Sequence, residues 1–336
     1  MSERPAVTVC IPTYNRRELL SASLQSVLQQ SWRDVEIIVS DNASTDDTQD
    51  YVRSINDPRV HYERLPQNIG LFGNLTRCLH LGTGRYRVML PDDDLMLPGN
   101  LAAKVRFLDE HPSAGMVHSA FRYLNEYAQP VGPTENWSRL NADTLEPGES
   151  FIRRSLAHGG IVCVSSVMLR SDLVADERFD GDDGPYADIA LWLRVAARSD
   201  VGFLAKPLSG YLVHGSSASS GFAVVRVRRG EHRMTEQHAN AILQAHGRFV
   251  QRADLGPALQ AELAKVVADS DRRMRWTIRA NQTLSPSTLR MLKKVSGWGT
   301  GGWLHQRLSL DGARPEIASP QLSSVPAQRS GPLGPE

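Results

Sequence analysis

Between residues 7 and 124 short apolar runs alternate with helix-length amphipathic runs, and this alternation constrains the fold more than any other feature. "VTVCI" (7–11) reads as a buried strand, and "NRRELLSASLQSVLQQS" then places Leu20, Leu24, Val27 and Leu28 on one helical face. Asn15, with Glu18 three residues on, is spaced as an N-terminal cap pair. "VEIIVS" (35–40) is the next strand, followed by a helix expected to open on Ser44. "VHYER" (60–64), a helix over 74–82 and "YRVML" (86–90) repeat the cycle. A helix carrying Leu101, Val105 and Leu108 leads to the strand "AGMVHSAFRYL". Strands joined by crossover helices predict an α/β chain with a mostly parallel, buried sheet.

Such sheets bind ligands beyond the carboxyl ends of their strands. Three polar clusters fall there: "PTYN" after the first strand, "DNAS" after the second and "PDDD" after the fourth. The last is the most demanding. Asp92, Asp93 and Asp94 repel one another, and burial adds to the cost. Adjacent carboxylates suit a hard divalent cation, Mg2+ or Mn2+, completed by substrate phosphate oxygens; the plain alternative is a solvated turn. Asp41, ending the second strand, can accept from a nucleobase imide N–H or serve as a helix cap. Asp46 and Asp47 fit a first helical turn. Asp188, before the helix "DIALWLRVAARS", and His214, in "YLVHGSS", are ordinary residues when taken singly.

Later stretches are less regular. Residues 125–160 read as loop, 159–173 as a strand entered through Gly159–Gly160, and 201–215 as two short strands broken by Pro207. From 223 the pattern is helical and rich in arginine, and 311–336 has the Pro/Ser/Gly/Ala composition of a disordered tail. The expected division is therefore 1–222, 223–310 and 311–336. Residues 1–222 hold 21 Lys+Arg and 28 Asp+Glu, whereas 223–310 hold 15 and 6. An acidic body with a basic arm implies either separate partners or mutual neutralisation across an interface. Three separated cysteines, no signal-like start and no long apolar run predict a cytoplasmic protein with reduced thiols.

Taken in order, "VTVCIPTYNRRELLSASLQSVLQQS", "EIIVSDNASTDDT", "NIGLFGNL", "YRVMLPDDD", "ADIALWLRVA" and "YLVHGSSAS" resemble glycosyltransferase family 2, the inverting enzymes of GT-A fold. The resemblance spans residues 7–219. It implies that Pro12, Thr13, Tyr14, Asn15, Asp41, Asn68, Gly70 and Asn74 hold the nucleotide of a sugar donor. It implies that Asp92–Asp94 form the metal motif, with Asp94 and Asp92 at the ion and Asp92 or Asp93 on the ribose. Asp188 is then the catalytic base, and His214 assists at the metal or diphosphate. The chain departs from many members at Gly73, Pro91 and Ala187.

The function expected is metal-dependent, inverting transfer of a sugar from a UDP- or dTDP-sugar to a hydroxyl. The acceptor is a carbohydrate, a lipid-linked glycan or a small molecule, and no nucleic acid is involved. A sugar nucleotidyltransferase would want a glycine-rich phosphate loop that "IPTYNRRELL" lacks, and a non-catalytic carbohydrate-binding scaffold would not need Asp188 and the aspartate trio together. Arg226, Arg228, Arg229, Arg233, Arg272, Arg273, Arg275 and Arg279, interleaved with Trp276 and aliphatic residues, suit an anionic membrane surface. The alternatives are packing on the catalytic domain or on a second protomer, as in a homodimer.

Overall fold

A computed structural model describes residues 5–125, 127–135, 138–159, 162–212, 225–227, 231–233, 236–253 and 255–283. The chain opens β1 (Val7–Thr13), α1 (Arg17–Leu28), β2 (Val35–Asp41), α2 (Thr48–Arg53), β3 (Val60–Arg64), α3 (Gly70–His80) and β4 (Tyr86–Met89). It continues through β5 (Leu95–Met96), α4 (Asn100–Glu110), β6 (Ala114–Leu124), β7 (Pro130–Glu135), β8 (Thr144–Glu146) and α5 (Gly148–His158). Then come β9 (Met168–Arg170), α6 (Ala187–Ala196), β10 (Asp200–Leu212), the ribbon β11 (Val225–Val227) and β12 (Glu231–Arg233), α7 (Glu236–Arg252) and α8 (Pro257–Thr283).

The main sheet runs β3-β2-β1-β4-β9-β6-β10-β5, with β7 paired to β6 and β8 to β10. β3, β2, β1 and β4 are parallel, β9 lies antiparallel to both β4 and β6, and β10 is parallel to β6. All seven residues of β1 are buried. Val7, Val9 and Ile11 join one apolar cluster, with α1 and α4, while Cys10 joins the other. A strand buried on both faces must read as a continuous apolar run, which is why "VTVCI" does. Truncating Leu24 of α1, fully buried, costs about 2–5 kcal/mol on the usual scale for core leucines.

Several expectations need correction. Helix α2 starts at Thr48, not Ser44. Ser44 N–H donates to Asp41 (2.9 Å), Thr45 N–H to Asn15 (2.7 Å) and Thr48 N–H to Asp46 (3.2 Å), so side chains take the backbone donors a helix would use. Asn15 does not cap α1, because it sits at φ 54° and reaches across to Thr45. The first turn of α1 is served from the neighbouring loop instead, by Asp46 accepting from Arg17 N–H at 3.3 Å. Helix α3 begins at Gly70 rather than 74. The segment read as loop contains β7, β8 and α5, and the strand expected over 159–173 is only β9 flanked by 3-10 turns at Val164–Ser166 and Ser171–Val174. Pro207 does not break β10 in two; the strand passes through it with register shifts against β6.

The arm's described part is not a separate body. Ala239, Ile242, Ala245 and Phe249 of α7 and Leu263 and Met274 of α8 belong to the same apolar cluster as Trp192 and Phe151, so the core is continuous across residue 222. Charge complementarity follows: Arg248 lies 3.5 Å from Asp183, Arg252 lies 3.6 Å from Asp180, and Arg153 pairs with Glu262. Of the two readings of the charge asymmetry, mutual neutralisation accounts for these contacts. The tail over 311–336 lies outside the described residues, and no described helix is long and apolar enough to cross a membrane. Cys10 and Cys78, distant in sequence, are hydrogen-bonded neighbours in the core as free thiols.

Candidate active site

The loops after β1 and β2 are laced together. Thr13 C=O accepts from Asn42 N–H at 3.0 Å, and Ser44 Oγ accepts from Asn15 N–H at 2.9 Å. Asp41 ends β2 with no solvent exposure. Its carboxylate accepts from Ser44 N–H (2.9 Å) and the Tyr62 hydroxyl (2.5 Å), with Arg64 Nε at 3.7 Å. Burial, then the Asp41 bond, pushes the Tyr62 phenol well above its ordinary range, so it stays a donor.

Asn42 organises the next loop. Its amide donates to Asn68 Oδ1 (3.0 Å) and Gly70 C=O (3.1 Å) and accepts from Ile69 N–H (2.9 Å), while Asn68 accepts from Gly70 N–H (2.8 Å). Gly70 holds φ +81°, and a Cβ there would meet nothing within 4 Å, so backbone conformation alone asks for glycine. Asn74 sits beneath this rim rather than on it. Its amide closes a two-way bond with Ser40, accepting from the hydroxyl at 2.6 Å and donating to the carbonyl at 2.9 Å. Pro12 and Thr13 are likewise buried, and Tyr14 is exposed.

The aspartate trio divides its labour. Asp92 accepts from the Thr13 hydroxyl at 2.8 Å, and Arg16 Nη1 reaches Asp92 at 3.2 Å and Asp93 at 3.3 Å. Part of the repulsion is therefore offset by an arginine of the first loop. Burial, then the Asp93 charge, still pushes the Asp92 carboxyl up to about 6. Asp94 points elsewhere. It accepts from Leu212 N–H at 3.1 Å and from the Ser165 hydroxyl, and burial with the Asp93 charge holds it well above the usual carboxylate range.

Asp188 lies in the first turn of α6. The residue is partly exposed, but its carboxyl group is enclosed, and burial pushes it up to about 6 against a bond from Ile189 N–H at 2.8 Å. Although Asp94 and Asp188 are far apart in the chain, both charges reach Cys163, whose thiol burial raises first and these two carboxylates raise further. Both acids therefore lie within electrostatic reach of the Cys163 thiol. His214 lies outside the described residues.

The sequence model described as "Glycosyl transferase family 2" matches residues 8–173. The Campylobacter jejuni protein named GalNAc(5)-diNAcBac-PP-undecaprenol beta-1,3-glucosyltransferase is 37% identical over 110 residues, 32% of this chain and 35% of its own. This chain belongs to glycosyltransferase family 2. The family 2 chain spans about half to two thirds of the length of the first curated relatives it matches. Its fold is GT-A: TarS 1–349 of S. aureus, solved in complex with UDP-GlcNAc, superposes with a TM-score of 0.62 at 16% identity, over 87% of this chain and 79% of that one. The mannosyltransferase PcManGT of Pyrobaculum calidifontis, solved with GDP-Man and Mn2+, gives 0.53 at 17% identity over 88% and 81%.

Arg16, Asn42, Tyr62, Arg64 and Ser165 complete the candidate site and were not singled out from sequence. Arg16 and Asn42 adjoin residues that were, Asn15 and Asp41, so proximity to a rim cluster was their signal. Tyr62 and Ser165 have none, since only strand pairing and a turn bring them in.

Proposed function

We propose that this family 2 protein transfers a sugar from a nucleotide-diphosphate donor, a UDP- or dTDP-sugar, to an acceptor hydroxyl with inversion, in glycan assembly. The observation that supports the reading is that Asp94 and Asp188, from distant parts of the chain, are both held toward the protonated form by burial and both act on the buried thiol of Cys163. Buried carboxylates without a close cation are costly, and a donor site that supplies one explains why they persist.

The donor set suits a hard divalent ion. Asp94, with Asp92 or Asp93, offers carboxylate oxygens, and such an ion takes its remaining ligands from phosphate and water. Among the described residues no three His, Cys, Asp or Glu side chains gather where they could hold a metal ion by themselves. When bound, the ion would offset the negative charge growing on the leaving diphosphate. The protein's own groups do the rest. The Asn42–Asn68–Gly70 loop and the 12–15 turn frame the nucleotide, Asp41, steadied by the Tyr62 hydroxyl, accepts from the imide N–H of the base, and Asp92 with Arg16 orients the ribose side. Asp188 takes the proton of the attacking hydroxyl, for which a carboxyl near 6 is suitably basic at neutral pH. Displacement from the face opposite the leaving group inverts the anomeric carbon. The buried free thiols fit action on the cytoplasmic side.

A thermal-shift panel of UDP-, dTDP- and GDP-sugars, each with Mn2+, with Mg2+ and with chelator, tests the scheme. Stabilisation by a UDP- or dTDP-sugar that chelator abolishes and Asp94→Asn weakens is expected. A nucleotide response indifferent to both would sink the donor assignment.

A further inference from the structure

The Asp94 carboxylate takes hydrogen bonds from two elements far apart in the chain. Leu212 N–H, at the end of β10, reaches it at 3.1 Å, and the Ser165 hydroxyl comes from the turn Val164–Ser166. Both donors trace back to Ser209. The Ser209 hydroxyl donates to Ser165 C=O at 2.9 Å, which fixes the turn, and Ser209 lies three residues before Leu212 in the same strand. Ser209 is held in turn from α4. The Asn100 amide donates to Leu208 C=O at 2.5 Å and reaches Ser209 Oγ at 3.3 Å.

Packing and strand pairing do not call for these side chains. The Ser209 backbone is already paired to Phe121 of β6 and Met96 of β5. Leu208 C=O already accepts from Leu97 N–H at 3.0 Å. Helix α4 is seated by Leu101, Val105 and Leu108 in the apolar core. Asn100, Ser165 and Ser209 are nevertheless fully buried, and Asn100 Oδ1 has no partner among the described residues. A buried polar atom short of a partner is destabilising, so aliphatic side chains would hold these elements together at less cost.

What the polar groups supply is register. β10 shifts against β6 between Leu204 and Pro207 and again between Pro207 and Ser209, then runs in step from Ser209 to Leu212 opposite Phe121 to Leu124. A strand that leaves its register needs a contact outside the ladder to fix where pairing resumes, and such irregularities re-aim groups near sites. Asn100 grips the chain at Leu208 and Ser209, where pairing resumes, and the resumed register is what sets Leu212 N–H on Asp94.

On the reading of Asp94 as a ligand of the donor's divalent ion, on which this rests, we propose that Ser209 and Asn100 are positioning residues for Asp94. Ser209 sets both of the donors that aim the carboxylate, and Asn100 holds Ser209. Partners of this kind, one step removed from an ion, commonly change its affinity by about 10–100-fold.

Calorimetric titration of the full chain with UDP and with dTDP, in Mn2+ and in chelator, tests it. In the wild type Mn2+ should tighten nucleotide binding. Ser209→Ala should weaken binding about tenfold in Mn2+ and leave it unchanged in chelator, and Ser209→Thr, which keeps the hydroxyl, should restore most of the gain from Mn2+. Asn100→Leu should repeat the Ser209→Ala pattern with a smaller loss. Ser171→Ala controls for lost stability. It removes the same kind of bond, from the Ser171 hydroxyl to Gly84 C=O at 2.6 Å, at the opposite end of the sheet, and should leave the gain from Mn2+ intact. A Ser209→Ala protein that matches Ser171→Ala in Mn2+, or that loses affinity equally with and without the ion, overturns the positioning role and leaves the donor reading standing. A wild type that binds nucleotide with no gain from Mn2+ sinks the reading of Asp94 as an ion ligand, and this proposal with it.

Discussion

The half of the sheet built on β1, β2 and β3 and the half built on β6, β9 and β10 treat their polar groups in opposite ways. On the first half Asp41, Asn42, Asn68 and Asn74 have protein partners at 2.5–3.1 Å, so the loops are fixed before any ligand arrives. Where the trio meets the second half, Asp94 and Asp188 are enclosed with few donors and no close cation among the described ion pairs, and both are held toward protonation. Preformed hydrogen bonds suit recognition, which needs shape. Under-compensated carboxylates suit chemistry, which needs groups whose charge is completed by what they act on.

The sharpest way to break this contrast is Asp188→Asn. If the second half does chemistry alone, transfer should fall about 10²–10⁴-fold, as for loss of a general base, while donor affinity measured by calorimetry stays unchanged. Equal losses in both would erase the division. The next largest effect is on pH. Carboxyls raised in the folded state keep protons that the unfolded chain has released, so stability declines as pH rises from the unfolded value near 3.8 through about 6, the folded value of Asp92 and Asp188. For buried Asp92 that is on the order of 3 kcal/mol before relaxation. The first half has the opposite sign. Burial opposes ionisation of Glu36, but bonds from the Thr8 hydroxyl and the Thr83 and Gly84 amides outweigh it and lower the carboxyl, and stability gained there is lost as pH falls through the folded value. Ligand-free melting curves should therefore peak in mildly acidic buffer, and Mn2+ with UDP should raise the melting temperature more at pH 7.5 than at pH 5. A ligand-free optimum above pH 7 would contradict the assignment of Asp92, Asp94 and Asp188.

How far the sequence reaches differs between the same two halves. Strand and helix alternation exposes β1 to β4 because each buried strand is a short apolar run and each crossover has one apolar face. The rim clusters follow from the rule that loops at the carboxyl ends bind ligands, and Asp41 and Asp92–Asp94 do lie there. What stayed hidden is whatever depends on pairing across distance. Loop 42–47 looks like a helix start by composition, yet its donors are taken by Asp41, just before it in the chain, and by Asn15, which only the pairing of β1 with β2 brings close. β7 and β8 are short and lean on β6 and β10, so no local pattern announces them. Arg16 compensates Asp92 and Asp93 through a contact between loops, and a charge count along the chain cannot see it.

A moderate effect is expected from Asn42→Ala, which removes the bonds holding Asn68, Ile69 and Gly70. Each buried group left without its partner costs about 1–3 kcal/mol, so donor affinity should weaken about tenfold with the turnover of bound donor unchanged. A fall in turnover without a change in affinity would place this loop with the chemical half instead.

The smallest expected effect sharpens the contrast most, because it asks what holds the chemical half in place. Asp188 follows the turn Gly181–Tyr186, whose Asp183 is buried and whose neighbours are acidic. The cations facing that turn come from α7: Arg248 at 3.5 Å from Asp183 and 3.9 Å from Asp182, and Arg252 at 3.6 Å from Asp180. Arg194 of α6 adds a contact to Asp183 at 3.9 Å. These are long, partly solvated pairs, worth about 0–1 kcal/mol each. Arg248→Gln should thus lower the melting temperature only slightly. If the C-terminal helices position the base through this turn, the variant should lose a few-fold in turnover with donor affinity intact, and the acid limb of its pH–rate profile should shift, since the turn bearing Asp188 will have moved. A variant with an unchanged profile and only a small drop in melting temperature would reduce the pair to packing, and Asp188 would owe its position to α6 and the sheet alone.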